Sequence, residues 1–193
     1  MEAQGEGDGA AARAAWARAL EAGAPRAPVY YQMGLSARAA GEPDVARAEF
    51  ERALAESPSA PGAAKELAAM ALADGRNGEA RALLTRYVRE AGPDPDSLST
   101  LAVIESNLGD GEAATLAIRK ARALLPEGWK RAELEAQIYA RAGNAVSAIA
   151  ALRALEAEGH LDRRALRSDS AYLPIATNAD WVAFLGEGAL ATP

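Results

Sequence analysis

Apolar side chains recur along this chain at intervals of three and four, the spacing that lays one buried stripe along an α-helix. In residues 43–54, PDVARAEFERAL, the stripe is Ala46, Phe50 and Ala53, with charged residues on the other faces. It returns as Ala80, Leu84 and Tyr87, as Ala114, Ile118 and Ala121, and as Ala148, Leu152 and Leu155, each set 34 residues after the last. Gly41, Gly75, Gly109 and Gly143 keep the same interval, five residues ahead of each leading alanine.

A second helical stretch precedes each glycine. Its matching positions are Tyr30, Ala64, Leu98 and Ala132, then Met33, Leu67, Leu101 and Glu135, followed at once by the small residues Gly34, Ala68, Ala102 and Ala136. A small residue lets two helices approach closely while the large ones fill the space beside them. The glycine ends the first helix and allows the left-handed backbone of a tight turn. The pattern predicts a row of helical hairpins and an all-α fold.

A 34-residue unit with a large apolar opener, a large–small pair, a turn glycine, an alanine and a closing proline resembles the tetratricopeptide repeat. Residues 27–60 carry Tyr30, Met33, Gly34, Ala46, Phe50, Ala53 and Pro58 at the family's signature places. Residues 95–128 carry Leu98, Leu101, Ala102, Ala114, Ile118, Ala121 and Pro126 there. The unit at 61–94 is looser, its proline displaced to Pro93. The unit at 129–162 departs most, with Glu135 where a large apolar residue belongs and no closing proline; Leu134 and Ile138 are expected to take over that face through a small helix rotation. The resemblance implies a right-handed α–α superhelix of helical hairpins.

One period before Gly41 stands Gly7, and Ala12, Trp16 and Ala19 precede Ala46, Phe50 and Ala53 by the same step. Residues 8–22 therefore read as the second helix of a partial repeat, after a disordered start at 1–7. Three explanations stand: a natural capping helix, a cut from a longer array, or a missing half supplied by a partner, which includes a homodimer formed through the incomplete repeat. At the other end, Leu166, Arg167, Asp169, Tyr172, Pro174, Ile175, Trp181 and Leu185 resemble the segment that closes many bacterial arrays of this family. Residues 163–185 are accordingly expected to be capping helices that cover the last apolar face, with Tyr172, Ile175, Trp181, Phe184 and Leu185 as the cover and Asn178 as a helix cap. Residues 186–193 read as a disordered tail.

Composition narrows the function. Alanine makes up roughly a quarter of the chain, which calls for close helix packing, and the excess of arginine over lysine fits a GC-rich bacterial genome. A net charge of −6 argues against a nucleic-acid binder and against an anionic membrane surface. Without cysteine there are no disulfides, thiolate nucleophiles or sulfur-ligated zinc. No apolar run suffices for a membrane span and the start lacks the parts of a signal peptide, so no membrane insertion is expected. The compartment stays undetermined, with the cytoplasm favoured over the periplasm.

No reaction is legible. His160 is the single histidine and falls in a loop, so neither a metal site nor a histidine-assisted serine is expected. GEGDGA at 5–10 lacks the strand and the lysine of a phosphate loop and reads as a flexible turn. Asp96 and Asp110 belong at helix starts, where the dipole favours them, rather than in a calcium loop. Arg163, Arg164 and Arg167 form a basic cluster, either a solvated face or a contact for an anionic partner. No catalytic residue, cofactor or metal is implied.

What remains is a surface. In this family the first helices line a concave groove, which implies partner-binding rows at Tyr31, Lys65, Ser99 and Glu133, at Leu35, Ala69, Val103 and Gln137, and at Arg38, Leu72, Ser106 and Ala140, with Asn107 and Arg141 adjoining. Apolar anchors of an amphipathic helix or extended peptide would dock at its centre, with acidic groups meeting Lys65, Arg38 and Arg141. Tyr31, Leu35 and Glu66 replace the lysine and two asparagines with which chaperone co-factors of this family clamp a C-terminal carboxylate, so that ligand is not expected. The resemblance implies an interaction scaffold or adaptor for a protein or peptide. Its alternatives are the accessory region of a larger signalling enzyme, an envelope assembly factor, or a structural protein whose groove is filled by its own terminus or a second copy.

Overall fold

The computed structural model describes residues 14–57, 60–125 and 129–187. The chain divides into two units, the first ending at Gly92 and the second beginning at Pro93. In the first, α1 (residues 14–21) precedes the hairpins α2 (Arg26–Ala39) with α3 (Pro43–Glu56) and α4 (Pro61–Ala73) with α5 (Asn77–Ala91). In the second, α6 (Pro95–Asn107) pairs with α7 (Gly111–Leu124), and α8 (Trp129–Arg141) with α9 (Ala145–Ala157). The short α10 (Arg163–Leu166), a 3-10 helix (Ser170–Ile175) and α11 (Ala179–Glu187) follow. Among the described residues there is no strand.

Each hairpin turns on its predicted glycine. Gly41, Gly75, Gly109 and Gly143 have φ between 72° and 81°, a region that side chains with a Cβ resist. The residue after each glycine donates its backbone N–H to a carbonyl five residues back: Glu42 to Ala37, Arg76 to Ala71, Asp110 to Glu105 and Asn144 to Tyr139, at 2.8–2.9 Å. This closure satisfies carbonyls that the helix end would otherwise leave unpaired. Gly23 and Gly159 sit at one phase of the same period, and both repeat the closure, with Ala24 bonding Ala19 and His160 bonding Leu155. Thus α1 ends as α9 ends. Helices α3, α4 and α6 start with Pro43, Pro61 and Pro95 in the first turn, and α6, α7 and α9 with the side chains of Asp94, Asp110 and Asn144 accepting backbone N–H groups, while α5 has neither.

The core is built from small residues facing large ones. Ala46, Ala80, Ala114 and Ala148 are fully buried, as are Phe50, Leu84, Ile118 and Leu152. Gly34 lies so close to Phe50 that a Cβ on it would stand 2.5 Å from the ring. The corresponding pairs are Ala68 with Leu84, Ala102 with Ile118 and Ala136 with Leu152, so glycine is present where its partner is aromatic. In α8, Ile138 is buried with Leu98, Ala102, Ala114 and Ile118, with Leu134 packed beside them. Glu135, on the edge of that cluster, accepts hydrogen bonds from Arg122 at 2.7 Å and the Tyr139 hydroxyl at 3.1 Å.

The closing segment covers the last hairpin. Leu166, Tyr172, Ile175, Trp181 and Phe184 are buried in one cluster with Ala136, Ala140, Leu152 and Leu155, and Leu185 packs at its edge. The Tyr172 and Trp181 rings stack at 4.9 Å with 11° between planes. Asp162, Asp169 and Asn178 cap its three helical pieces. The basic cluster is neither merely solvated nor, in the main, free for an anion. Arg163 binds both oxygens of Glu156 at 2.6 and 2.7 Å, donates to the Phe184 carbonyl and lies 4.2 Å from the Phe184 ring, while Arg167 donates to the Leu185 carbonyl at 3.0 Å. Two guanidiniums therefore bond the carbonyls of Phe184 and Leu185 in α11, where the dipole favours positive charge. Arg164 is exposed.

Helix α11 runs through Glu187, two residues into the stretch read as a tail. The expected start at 1–7, Gly7, Ala12, the GEGDGA turn, Pro58, Pro126 and residues 188–193 lie outside the described residues.

Gly34→Ala is expected to destabilise the fold, overpacking of about 1–3 kcal/mol being only partly offset by alanine's better helix propensity. Adding Phe50→Leu recreates the Ala68 and Leu84 pair, and urea denaturation should show the double variant more stable than the sum of the singles by about 1 kcal/mol or more. Arg163→Met should cost about 2 kcal/mol in the same assay and speed amide exchange in α11. The Arg163 guanidinium holds the Glu156 carboxyl below its ordinary value of 4.5. That stabilisation is complete above the ordinary value and is lost as pH falls through the folded one, so the acid limb of the wild-type stability curve should be shallower in Arg163→Met.

Candidate interaction site

In the first unit, Tyr31, Leu35 and Arg38 occupy successive turns of one face of α2, and Lys65, Ala69 and Leu72 do the same on α4. Two contacts join these faces. The Tyr31 ring lies over Gly62, where a Cβ would come within 2.9 Å of it, and Arg38 donates to the Glu66 carboxylate. Tyr31 also packs against Phe50 at 5.8 Å, and burial followed by the Glu66 charge raises its pKa, keeping the phenol protonated. Leu35 and Leu72 are half-buried and Ala69 is exposed. Lys65 sits 5.3 Å from the centre of the Tyr87 ring. Arg38 is thus committed to Glu66, and Lys65 shares its charge with an aromatic face.

In the second unit, Ser99, Val103, Ser106 and Asn107 follow one another along α6, and Gln137 and Arg141 along α8. Arg131 crosses between these helices, bonding Asp96 at 3.0 Å and the Ser99 hydroxyl at 3.2 Å. Val103 and Ser106 are half-buried; Asn107 and Arg141 are exposed. Gln137 donates to Asp169 of the closing segment at 3.0 Å, and Ala140 one turn on is fully buried. The closing segment therefore takes up this part of α8, leaving Gln137 a holder of the cap. Arg141 instead turns to an open cavity with Ser106, Thr115, Leu116, Arg119 and Asn144.

Three of those lining residues, Thr115, Leu116 and Arg119, belong to a second helix, where no site was expected. Exposed large apolar residues of the described chain, among them Val45, Leu116, Val146 and Val182, also lie on second helices or the closing segment. Leu116 stood out in the sequence: Ala48, Ala82 and Ala150 hold its place in the other units. His160 is exposed, and among the described residues no group of three or more His, Cys, Asp or Glu could hold a metal ion. No described helix is long and apolar enough to cross a membrane.

A tetratricopeptide-repeat family model matches residues 31–95. No curated protein sequence matches the chain. Among solved structures, MamA superposes with a TM-score of 0.69 at 19% identity, over 80% of this chain and 91% of MamA. YrrB, described as a tetratricopeptide-repeat protein with an unusual peptide-binding site, superposes at 0.69 and 18% identity over 91% and 98%. PilF of Pseudomonas aeruginosa does so at 0.67 and 17% over 95% and 83%. At such identities the likeness carries the fold alone. Residues 31–95 thus match the tetratricopeptide repeat, and the 34-residue period with its glycine turns continues the same helical-hairpin fold on either side of that segment.

Proposed function

We propose that the protein is a scaffold or adaptor that holds a peptide or amphipathic helix of another protein against its first-helix faces. The observation that carries this reading is the wall formed by α2 and α4. Arg38 with Glu66, and Tyr31 with Gly62, fix the two helices side by side while Leu35, Ala69 and Leu72 retain exposed apolar surface between charged neighbours. A partner's apolar side chains would displace water from these three residues, at about 25 cal/mol for each Å² removed from solvent. The flanking charges would set its orientation more than its affinity. The α6 face with Ser99, Val103, Ser106 and Asn107 is the second unit's counterpart. That YrrB shares the fold and is described by a peptide-binding site supports a peptide as the class of ligand.

Two variants test the wall. Ala69→Glu places a charge on an exposed helical position that glutamate suits well, so folding should be unaffected; Leu35→Asp is the α2 counterpart at a half-buried position against the core, so it counts only where its urea denaturation shows it fully folded under the assay conditions. Affinity capture from the source cell's lysate, quantified by mass spectrometry, should show proteins held by the wild type and depleted about tenfold or more by both variants, with helical circular dichroism unchanged. Equal capture by all three proteins would mean that this face is not the binding surface.

A further inference from the structure

The second unit contains an open cavity of about 660 Å³ beside the α6–α7 and α8–α9 turns. Its construction begins with Gly111, where a Cβ would stand 3.1 Å from that of Ala142; the absence of one lets α7 start against the end of α8. Ser106 and Arg141 reach the cavity from first helices, Thr115 and Leu116 from one turn of α7 and Arg119 from the next, and Asn144 from the following turn.

Two independent features of this wall point to a ligand. Leu116 is 56% exposed, although the other three units place alanine there and lose nothing in core packing by doing so. A leucine kept in water contributes little to folding, but covering it would yield a favourable transfer. Second, Arg38, Arg47, Arg52, Arg76, Arg122, Arg131 and Arg163 all pair with carboxylates. Among the described residues Arg119 and Arg141, like Arg18, Arg164 and Arg167, make no ion pair; these two line one cavity, and Glu112 on the same wall pairs with neither. Two unneutralised guanidiniums around an exposed leucine are complementary to carboxylates around an apolar side chain.

We infer that this cavity binds an acidic protein segment with a large apolar anchor, the anchor against Leu116 and its flanking carboxylates on Arg119 and Arg141. The inference rests on the reading that the chain binds protein segments, and adds a site that shares Ser106 and Arg141 with the first-helix rows but sets its apolar anchor and Arg119 on α7. A nucleic-acid strand is the poorer occupant: the chain carries a net charge of −6, Glu112 would oppose phosphates, and a phosphate backbone leaves Leu116 uncovered.

The test uses arrays of amidated heptapeptides read by fluorescence polarisation. One array has a central leucine, methionine or phenylalanine among aspartates and glutamates, a second replaces the acidic residues with lysine, and a third replaces the centre with serine. The full chain should bind members of the first array at least about tenfold more tightly than any of the other two, with affinity falling as salt rises. The triple variant Leu116→Ala, Arg119→Ser, Arg141→Ser alters only side chains outside the core and should weaken that binding about tenfold or more. No preference for the acidic array, or unchanged binding by the triple variant, overturns the inference. So does an oligothymidine strand that binds more tightly than every peptide. Loss on Ala69→Glu with retention by the triple variant removes this site but leaves the first-helix reading standing. Loss on the triple variant alone supports this site whatever becomes of that reading.

Discussion

The distance at which two helices of a hairpin can approach governs the rest of this structure. That distance is set by a small residue on the first helix against a large one on the second: Gly34 under Phe50, Ala68 under Leu84, Ala102 under Ile118 and Ala136 under Leu152. Alanine-rich helices offer little apolar area for each residue, so only close approach recovers enough contact to hold the fold. Close approach in turn requires a tight turn. The glycines at positive φ provide it, and the backbone closure after each one leaves few polar groups for solvent to reclaim.

The closing segment answers a different demand. A repeat array buries each hairpin against the next, so its last apolar face needs a cover that is not itself another repeat. Tyr172, Ile175, Trp181 and Phe184 supply far more area than the alanines they cover, which is why aromatic residues, scarce elsewhere, concentrate here. Short helical pieces have weak ends, and three side-chain caps with two arginines on the carbonyls of α11 stabilise them. Burial, then the charges of Asp169 and Glu133, push the Tyr172 pKa upward, so its phenol stays neutral at any ordinary pH.

Much of this was legible because repetition averages out local ambiguity. One glycine ahead of an alanine says little, but four in phase fix the period, and the period assigns turn, stripe and small residue together. Even the apolar surface of the irregular α8 followed from pattern, since Leu134 and Ile138 flank Glu135 and both pack in the cluster that it does not fill. Partnering of charges was not legible. Arg163 and Glu156 stand seven residues apart across a loop, Arg38 and Glu66 lie on different helices, and Gln137 meets Asp169 across a turn of the closing segment. Side-chain pairing of this kind depends on where helices meet, which periodicity constrains only to within a face.

Repeats also provide an internal reference against which function becomes visible. The turn glycine, the leading alanine and the small residue that follows the large one vary little in size from unit to unit, because each unit meets the same packing constraint there. A position on the solvent side is under no such constraint, and alanine at Ala48, Ala82 and Ala150 shows what folding by itself accepts there. Leu116 departs from that set by enlarging an exposed side chain, and Arg141 is the largest residue at a helix end where Ala39, Ala73 and Asn107 stand in the earlier units. Both departures fall on one cavity. A requirement outside the fold is the simplest cause of two unneeded side chains converging on the same wall.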